Sequence, residues 1–365
     1  MRLLTDPAIR RMALFVPLCL AILLQSCASG AKMTIINSEQ KKPNNVWVFF
    51  TVEKGKEPVP GLEAEDFRIY EDDGLVSAYE SKQVIQNPEV AAVMYTLLLL
   101  DVSGSITESG QIDRLVDAAQ LFTERVGKTQ KVGVYAFDGE ERIHAVVPFT
   151  ASEGSVKGGL EGLRGYSPKD PSTNLHGAVV EGLKTLQKGL EREKKPLKFG
   201  TLVVFSDGAD RAARVSREEM KQELNKEEYD NYELFAIGIG DEKELEQAQL
   251  DDIGRDGTEY GKDDAKVVEI FERVALRIEA QTKRFYLLSY CTPARAGEHK
   301  VRIEVDVKDA GGAKAEYTFD AKGFGPPPEC DPERKPTFRL DDIETQDATE
   351  AGPRKKSSGG RFQPR

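Results

Sequence analysis

The sequence predicts an α/β protein. Its main unit is a doubly wound, mostly parallel sheet with one antiparallel edge strand. Beside it stands a smaller β-sandwich-like domain built from the segments that flank the sheet. Three observations predict this. Apolar runs such as "LLLL" at 97–100 and "LVVF" at 202–205 lack polar alternation, so both faces of those strands are buried. Longer amphipathic stretches alternate with the runs, the pattern of a parallel sheet covered by helices. Strand-like runs occupy both ends of this region, by β-branched and aromatic composition before about residue 90 and in strict period two after 284.

The elements follow in order. "NNVWVFFTVEKG" (44–55) is rich in β-branched and aromatic residues and reads as a strand. "DFRIYEDDG" (66–74) is a second, closed by the turn signal Asp73-Gly74. Strands are then expected at 94–101, 131–137, 142–149, 199–206 and 233–239, with a weak one near 258–261. Helices are expected near 110–126, 152–163, 174–190, 215–226, 243–253 and 264–281. In the first of these, Ile112, Leu115, Ala119, Phe122 and Val126 share one face. Only "DGEE" separates the strands of 131–149, so they form a hairpin and supply the antiparallel edge. After "FYLLSYC", "EHKVRIEVDV" puts Val301, Ile303, Val305 and Val307 on one face. The expected organisation is a signal segment 1–26, a tether 27–43, β segments 44–93 and 283–325, the α/β domain 94–282 and a disordered tail 326–365. Neither β segment has strands enough for its own core. They either meet in one domain that carries the α/β domain as an insertion, or remain two small appendages.

At 365 residues the chain is too long for one ordinary core. Hydrophobic content of 39% beside 31% charged residues is that of a globular protein. The net charge is −11, and loss of residues 1–26, with three arginines and one aspartate, leaves about −13. Such a chain repels phosphate backbones, and no basic stripe offsets this, so nucleic acid is excluded as a partner.

The N-terminus is read as a targeting segment. "MRLLTDPAIRRM" is basic, and "ALFVPLCLAILL" (13–24) is too short to span a bilayer comfortably. Leu24-Gln25-Ser26-Cys27 resembles a bacterial lipobox. The resemblance implies diacylation of Cys27 and anchoring of the mature chain in the cell envelope, with Ala28 favouring the outer membrane. Several acyl chains anchor stably where one does not. The plain alternative is an ordinary secretory signal with an incidental cysteine. Of the four cysteines, Cys19 leaves with the signal and Cys27 takes lipid. Cys291 and Cys330 then meet an oxidising compartment and are expected to pair, free thiols being the alternative. C-x-x-C spacing is absent, which argues against a zinc site of that kind.

The chemistry gathers at strand ends. In an open parallel sheet, functional groups collect beyond the carboxyl ends of the strands. Asp101 ends the most hydrophobic strand, and Ser103 and Ser105 follow it with Gly104 between. Asp207 ends "LVVFSD", and Thr173 lies in "SPKDPSTNLHGAV" at a helix entry. Two carboxylates and three hydroxyls are hard oxygen donors, a set that selects Mg²⁺, Ca²⁺ or Mn²⁺. The small ligand charge favours Mg²⁺.

"DVSGS" (101–105) resembles the D-x-S-x-S motif of the von Willebrand factor A domain. "TNLHGA" (173–178), "FSDGAD" (205–210) and "FAIGIG" (235–240) are similar to that family's later segments, in order, over about 94–282. The resemblance implies a Rossmann-like fold and a metal-ion-dependent adhesion site on Asp101, Ser103, Ser105, Thr173 and Asp207. It further implies an open metal position that an acidic residue of a protein partner fills, in adhesion or envelope assembly. "KDPSTN" departs from the family, which usually has glycines before the threonine. Ser172 is therefore an alternative ligand and Asp170 a further candidate, or Ser172 and Thr173 merely cap the helix.

Two other functions compete with binding. A metal-dependent hydrolase would need further groups, yet Ser103 stands where haloacid-dehalogenase-like phosphatases carry a second acid. "DVSGS" is not a nucleophile elbow, and His144, His176 and His299 are scattered and more simply structural. The third reading is a structural envelope protein with a vestigial metal site. Binding without catalysis is the expectation.

Overall fold

The computed structural model describes residues 30–150, 153–262, 266–325 and 330–338. The expected signal segment 1–26 and Cys27 lie outside these residues. Among the described residues, no helix is long and apolar enough to cross a membrane.

The N-terminal part carries β1 (Ala31–Lys41), β2 (Asn45–Lys54), β3 (Glu57–Pro58), β4 (Phe67–Glu71), β5 (Gly74–Val76), a one-turn helix α1 (Ala78–Ser81) and β6 (Val84–Gln86). Next come β7 (Ala92–Asp101), α2 (Gly104–Glu108), α3 (Ile112–Val126), β8 (Lys131–Phe137), β9 (His144–Thr150), α4 (Glu153–Glu161) and α5 (Leu175–Glu191). They are followed by β10 (Leu197–Ser206), α6 (Arg217–Leu224), β11 (Tyr232–Ile239), α7 (Glu242–Ala248), β12 (Gly257–Gly261) and α8 (Val267–Thr282). The chain then returns to strands with β13 (Phe285–Cys291), β14 (Glu298–Val307) and β15 (Gly311–Asp320).

The middle part forms one six-stranded sheet in the order β12-β11-β10-β7-β8-β9. Its pairs are parallel except β8 with β9, which is antiparallel and closes one edge. The leucine run explains the layering. Leu98 and Leu100 point to one face, packing with Phe122 of α3 and Phe271 of α8. Leu97 and Leu99 point to the other, packing with Leu183 and Leu186 of α5. All four leucines are fully buried. A strand apolar on both faces is stable only between two helical layers, and β7 lies centrally, between β10 and β8.

The flanking segments join. β2 pairs with β13, and β4 pairs with β14, so each pair joins the N-terminal part to the C-terminal part. One sheet runs β1-β2-β13-β6 with β3 beside β2, and the other runs β15-β14-β4-β5. Between them Val46, Val48 and Phe50 meet Ile69, Val301, Ile303 and Val305. The opposite face of β2 is also apolar. There Trp47 and Phe49 pack with Leu287, Ala92, Leu197 and Phe338, which seats the six-stranded sheet on the sandwich.

Three boundaries differ from expectation. The tether expected over 27–43 is largely strand β1 from Ala31, an edge strand that pairs only with β2. The turn after β4 centres on Asp72 and Asp73, at φ 47° and 66°, because Glu71 pairs with Gly74. Such φ values suit Asp in a two-residue hairpin turn. The tail expected to be disordered from 326 contributes ordered chain at 330–338. Cys330 forms a disulfide with Cys291, and Phe338 is buried at the junction. The Trp47 indole donates to Arg334 O at 2.8 Å. Residues 339–365 lie outside the described chain.

Candidate metal site at the sheet rim

Strand register builds the site. Leu100 pairs with Phe205, which places Ser206 beside Asp101 and Asp207 one step beyond. Asp101 is fully buried. Its Oδ1 accepts the Ser103 backbone N–H at 3.0 Å, and its Oδ2 accepts the Ser206 hydroxyl at 2.7 Å. Ser103 opens α2 without capping it by its side chain. Its hydroxyl instead faces that of Ser105 at 3.3 Å. The Ser105 hydroxyl hydrogen-bonds Asp207.

The second loop is tied to the first by the backbone. Gly104 N donates to Pro171 O at 2.9 Å. A Cβ on Gly104 would sit 3.0 Å from Pro171 Cβ and 3.2 Å from its carbonyl oxygen, so Pro171 would have to give by a few tenths of an ångström to admit one. Thr173 is buried, and its carbonyl accepts Ala212 N at 2.9 Å from the third loop. Asp101, Ser103, Ser105 and Asp207 thus form one bonded group, and the loop of Thr173 is fastened to both neighbours.

The alternatives on the second loop find other partners. Ser172 donates its hydroxyl to Asp170 Oδ1 at 2.7 Å, and Arg214 holds Asp170 Oδ2 at 3.0 Å. These bonds, those of Ser172 first, hold the Asp170 carboxyl below its usual range. The N-cap of α5 is Asn174, with no side-chain cap bond, so neither Ser172 nor Thr173 caps that helix.

Electrostatics set the character of the rim. Burial, and then the nearby Asp207 charge, push Asp101 up to about 7. Burial likewise pushes Asp207 up, while the Ser105 bond opposes it. Asp207 Oδ1 is buried and has no hydrogen-bond partner. Two buried carboxylates whose proton affinity burial raises, ringed by neutral hydroxyls, are an unfavourable arrangement without a cation. All the donors are hard oxygens, and the residues fit a divalent ion of the Mg²⁺, Ca²⁺ or Mn²⁺ type.

Residues 96–209 match the family model of the von Willebrand factor type A domain. This segment is a VWA domain. The match takes in Asp101, Ser103, Ser105, Thr173 and Asp207 and spans under a third of the chain. None of the curated proteins compared with it matches. Among solved structures, the chain is similar to proximal thread matrix protein 1 from the mussel byssus with a zinc-occupied MIDAS motif. Identity is 17%, over 52% of this chain and 48% of that one, at TM-score 0.41. It thus spans about half the length of the mussel protein. A von Willebrand factor type A protein from Catenulispora acidiphila is 12% identical, over 82% and 75% of the two chains, at TM-score 0.42. The vWF domain of the pilus tip protein Mfa5 from Porphyromonas gingivalis is 11% identical, over 53% and 97%, at TM-score 0.40.

Ser206 is absent from the residues expected at the rim, although it directly precedes Asp207 in "FSDG". Its role arises from register across two strands, which the local sequence does not display. The VWA domain also draws His176 to Asp210, with Nδ1 2.9 Å from the carboxylate, so this histidine braces the third loop.

Proposed function

We propose that the VWA domain holds a divalent cation, Mg²⁺ first among the candidates, and uses it to bind an acidic group of a protein partner. Asp101, Ser103, Ser105, Thr173 and Asp207 would hold the ion. The observation that carries this reading is the pair of buried carboxylates, with Asp207 Oδ1 left without a partner. A bound cation would supply positive charge at the rim, where a partner's carboxylate could complete its coordination. Ser206 orients Asp101 from the side, and the Gly104–Pro171 bond keeps the first two loops in register.

The location proposed for this binding is a bacterial cell envelope, with the chain anchored through lipid on Cys27 and the outer membrane favoured. The lipobox-like Leu24-Gln25-Ser26-Cys27 supports that placement. Labelled fatty acid should enter the wild-type chain in a bacterial host and fail to enter Cys27→Ser. Binding is tested by passing envelope extract over immobilised protein in Mg²⁺ or in EDTA. A partner retained in Mg²⁺, released by EDTA and missed by Asp101→Asn supports the reading. Retention indifferent to both contradicts it.

A further inference from the structure

A second group of candidate ligands lies on the hairpin between β8 and β9. Asp138 follows β8 and is fully buried. Its Oδ1 accepts Glu140 N at 2.8 Å, and its Oδ2 accepts the Tyr166 hydroxyl at 2.9 Å. The antiparallel register pairs His144 with Ala136, which returns the imidazole to the end of β8. His144 Nε2 then lies 3.2 Å from Glu140 Oε2 and 3.7 Å from Asp138 Oδ1. That nitrogen is buried and has no hydrogen-bond partner. One ligand atom from each of the three residues lies within 4.8 Å of the other two.

The spacing is that of a coordination site. Tetrahedral zinc with bonds of about 2.0–2.1 Å has ligand-to-ligand edges of roughly 3.3–3.4 Å. The two separations from Nε2, 3.2 and 3.7 Å, bracket that edge. Lys169 Nζ lies 3.6 Å from Glu140 Oε2, but its side chain is 75% exposed and neutralises little. One imidazole with two carboxylates suits zinc-like ions better than Mg²⁺.

We propose that Asp138, Glu140 and His144 form a second metal site, selective for zinc-like divalent ions and separate from the all-oxygen group at Asp101. The hairpin is bonded to the loop that carries Thr173. Asn174 N donates to Asp138 O at 3.0 Å, Gly139 N donates to Asp170 O at 3.0 Å, and Asn174 Nδ2 donates to Glu140 O at 2.8 Å. An ion on the hairpin therefore stiffens the support of residues 170–174. The inference does not depend on the function proposed for the rim.

Equilibrium dialysis of the full chain against Zn²⁺ tests it, with Asp101→Asn as background so that the rim loses its central carboxylate. The background variant should retain one zinc per chain. Adding His144→Ala should weaken that zinc by at least about tenfold, as should Glu140→Gln, which keeps the loop's backbone bonds and guards against misfolding of the first variant. Co²⁺ should give the visible absorption of a tetrahedral nitrogen–oxygen site in Asp101→Asn and lose it with Glu140→Gln. Zinc binding unchanged by both substitutions, or no zinc held by Asp101→Asn, overturns the proposal. A Mg²⁺-dependent thermal shift, kept by Glu140→Gln and lost in Asp101→Asn, reports on the rim independently.

Discussion

Ser206 on β10 donates its hydroxyl to Asp101 Oδ2 on the neighbouring strand β7, across 2.7 Å, with both residues fully buried. The bond orients the carboxylate whose other oxygen is held by the Ser103 N–H. In Ser206→Ala, Oδ2 loses this donor in a place water does not reach. The expected loss is about 1–3 kcal/mol of stability without metal, with weaker Mg²⁺ binding. Urea unfolding in EDTA and Mg²⁺ titration of the same variant measure the two effects.

Asp101 also predicts a pH dependence. Its carboxyl, pushed up to about 7 in the folded chain, titrates near ~3.9 when unfolded. Between those values the native state holds the extra proton. Its contribution to stability is therefore greatest at low pH, falls as pH rises through this window, and is level above it. The fall amounts to a few kcal/mol, since each tenfold difference in proton affinity between the two states is worth about 1.4 kcal/mol. Thermal unfolding in EDTA at about pH 5 and about pH 8 should show the wild type losing more than Asp101→Asn. Saturating Mg²⁺ should shrink the difference, because the ion displaces the proton.

Gly104→Ala separates packing from ligand chemistry. In a helix this change ordinarily stabilises. Here the added methyl would meet the Pro171 carbonyl at 3.2 Å, and Gly104 N is itself bonded to that oxygen. The loops must move apart, so the variant should lose about 1–2 kcal/mol and bind Mg²⁺ at least about tenfold more weakly. Calorimetric titration beside thermal unfolding checks both signs.

The Cys291–Cys330 disulfide closes a sequence separation of 39 residues and fastens the segment that ends in buried Phe338. Opening it by Cys291→Ser with Cys330→Ser should lower stability by roughly 4 kcal/mol in the chain-entropy account. Metal binding at the rim should survive, since Asp101 ends β7 while Ala92, in the Trp47 cluster, begins it. Midpoints with and without a thiol reductant, each followed by Mg²⁺ titration, test this separation.

Much of the core was legible because burial writes a period. Leu97 to Leu100 declare a strand covered on both faces, and Val301, Ile303, Val305 and Val307 declare one covered face; all are buried as that pattern requires. Asp101, Ser103 and Ser105 were legible as a unit because they are neighbours in the chain. Contacts between distant residues leave no such mark. Nothing around Ser206 announces that register brings it to Asp101, and the expected hairpin alone does not say that its register sets His144 beside Asp138. β1 is hard to see because "NSEQK" carries no apolar alternation, and the segment at 330–338 because proline and charge surround the apolar Phe338.

Thermal unfolding of the wild type and of Asp101→Asn, in EDTA and in about 1 mM Mg²⁺, tests the central claim most directly. An ion held by the native rim alone must raise the wild-type midpoint; at a hundred times its dissociation constant it adds roughly 2.7 kcal/mol. The account predicts that shift in the wild type and none in Asp101→Asn, which in EDTA should match or exceed the wild type at about pH 8. An equal shift in both proteins, or none in either, would contradict a metal held by Asp101 at the sheet rim.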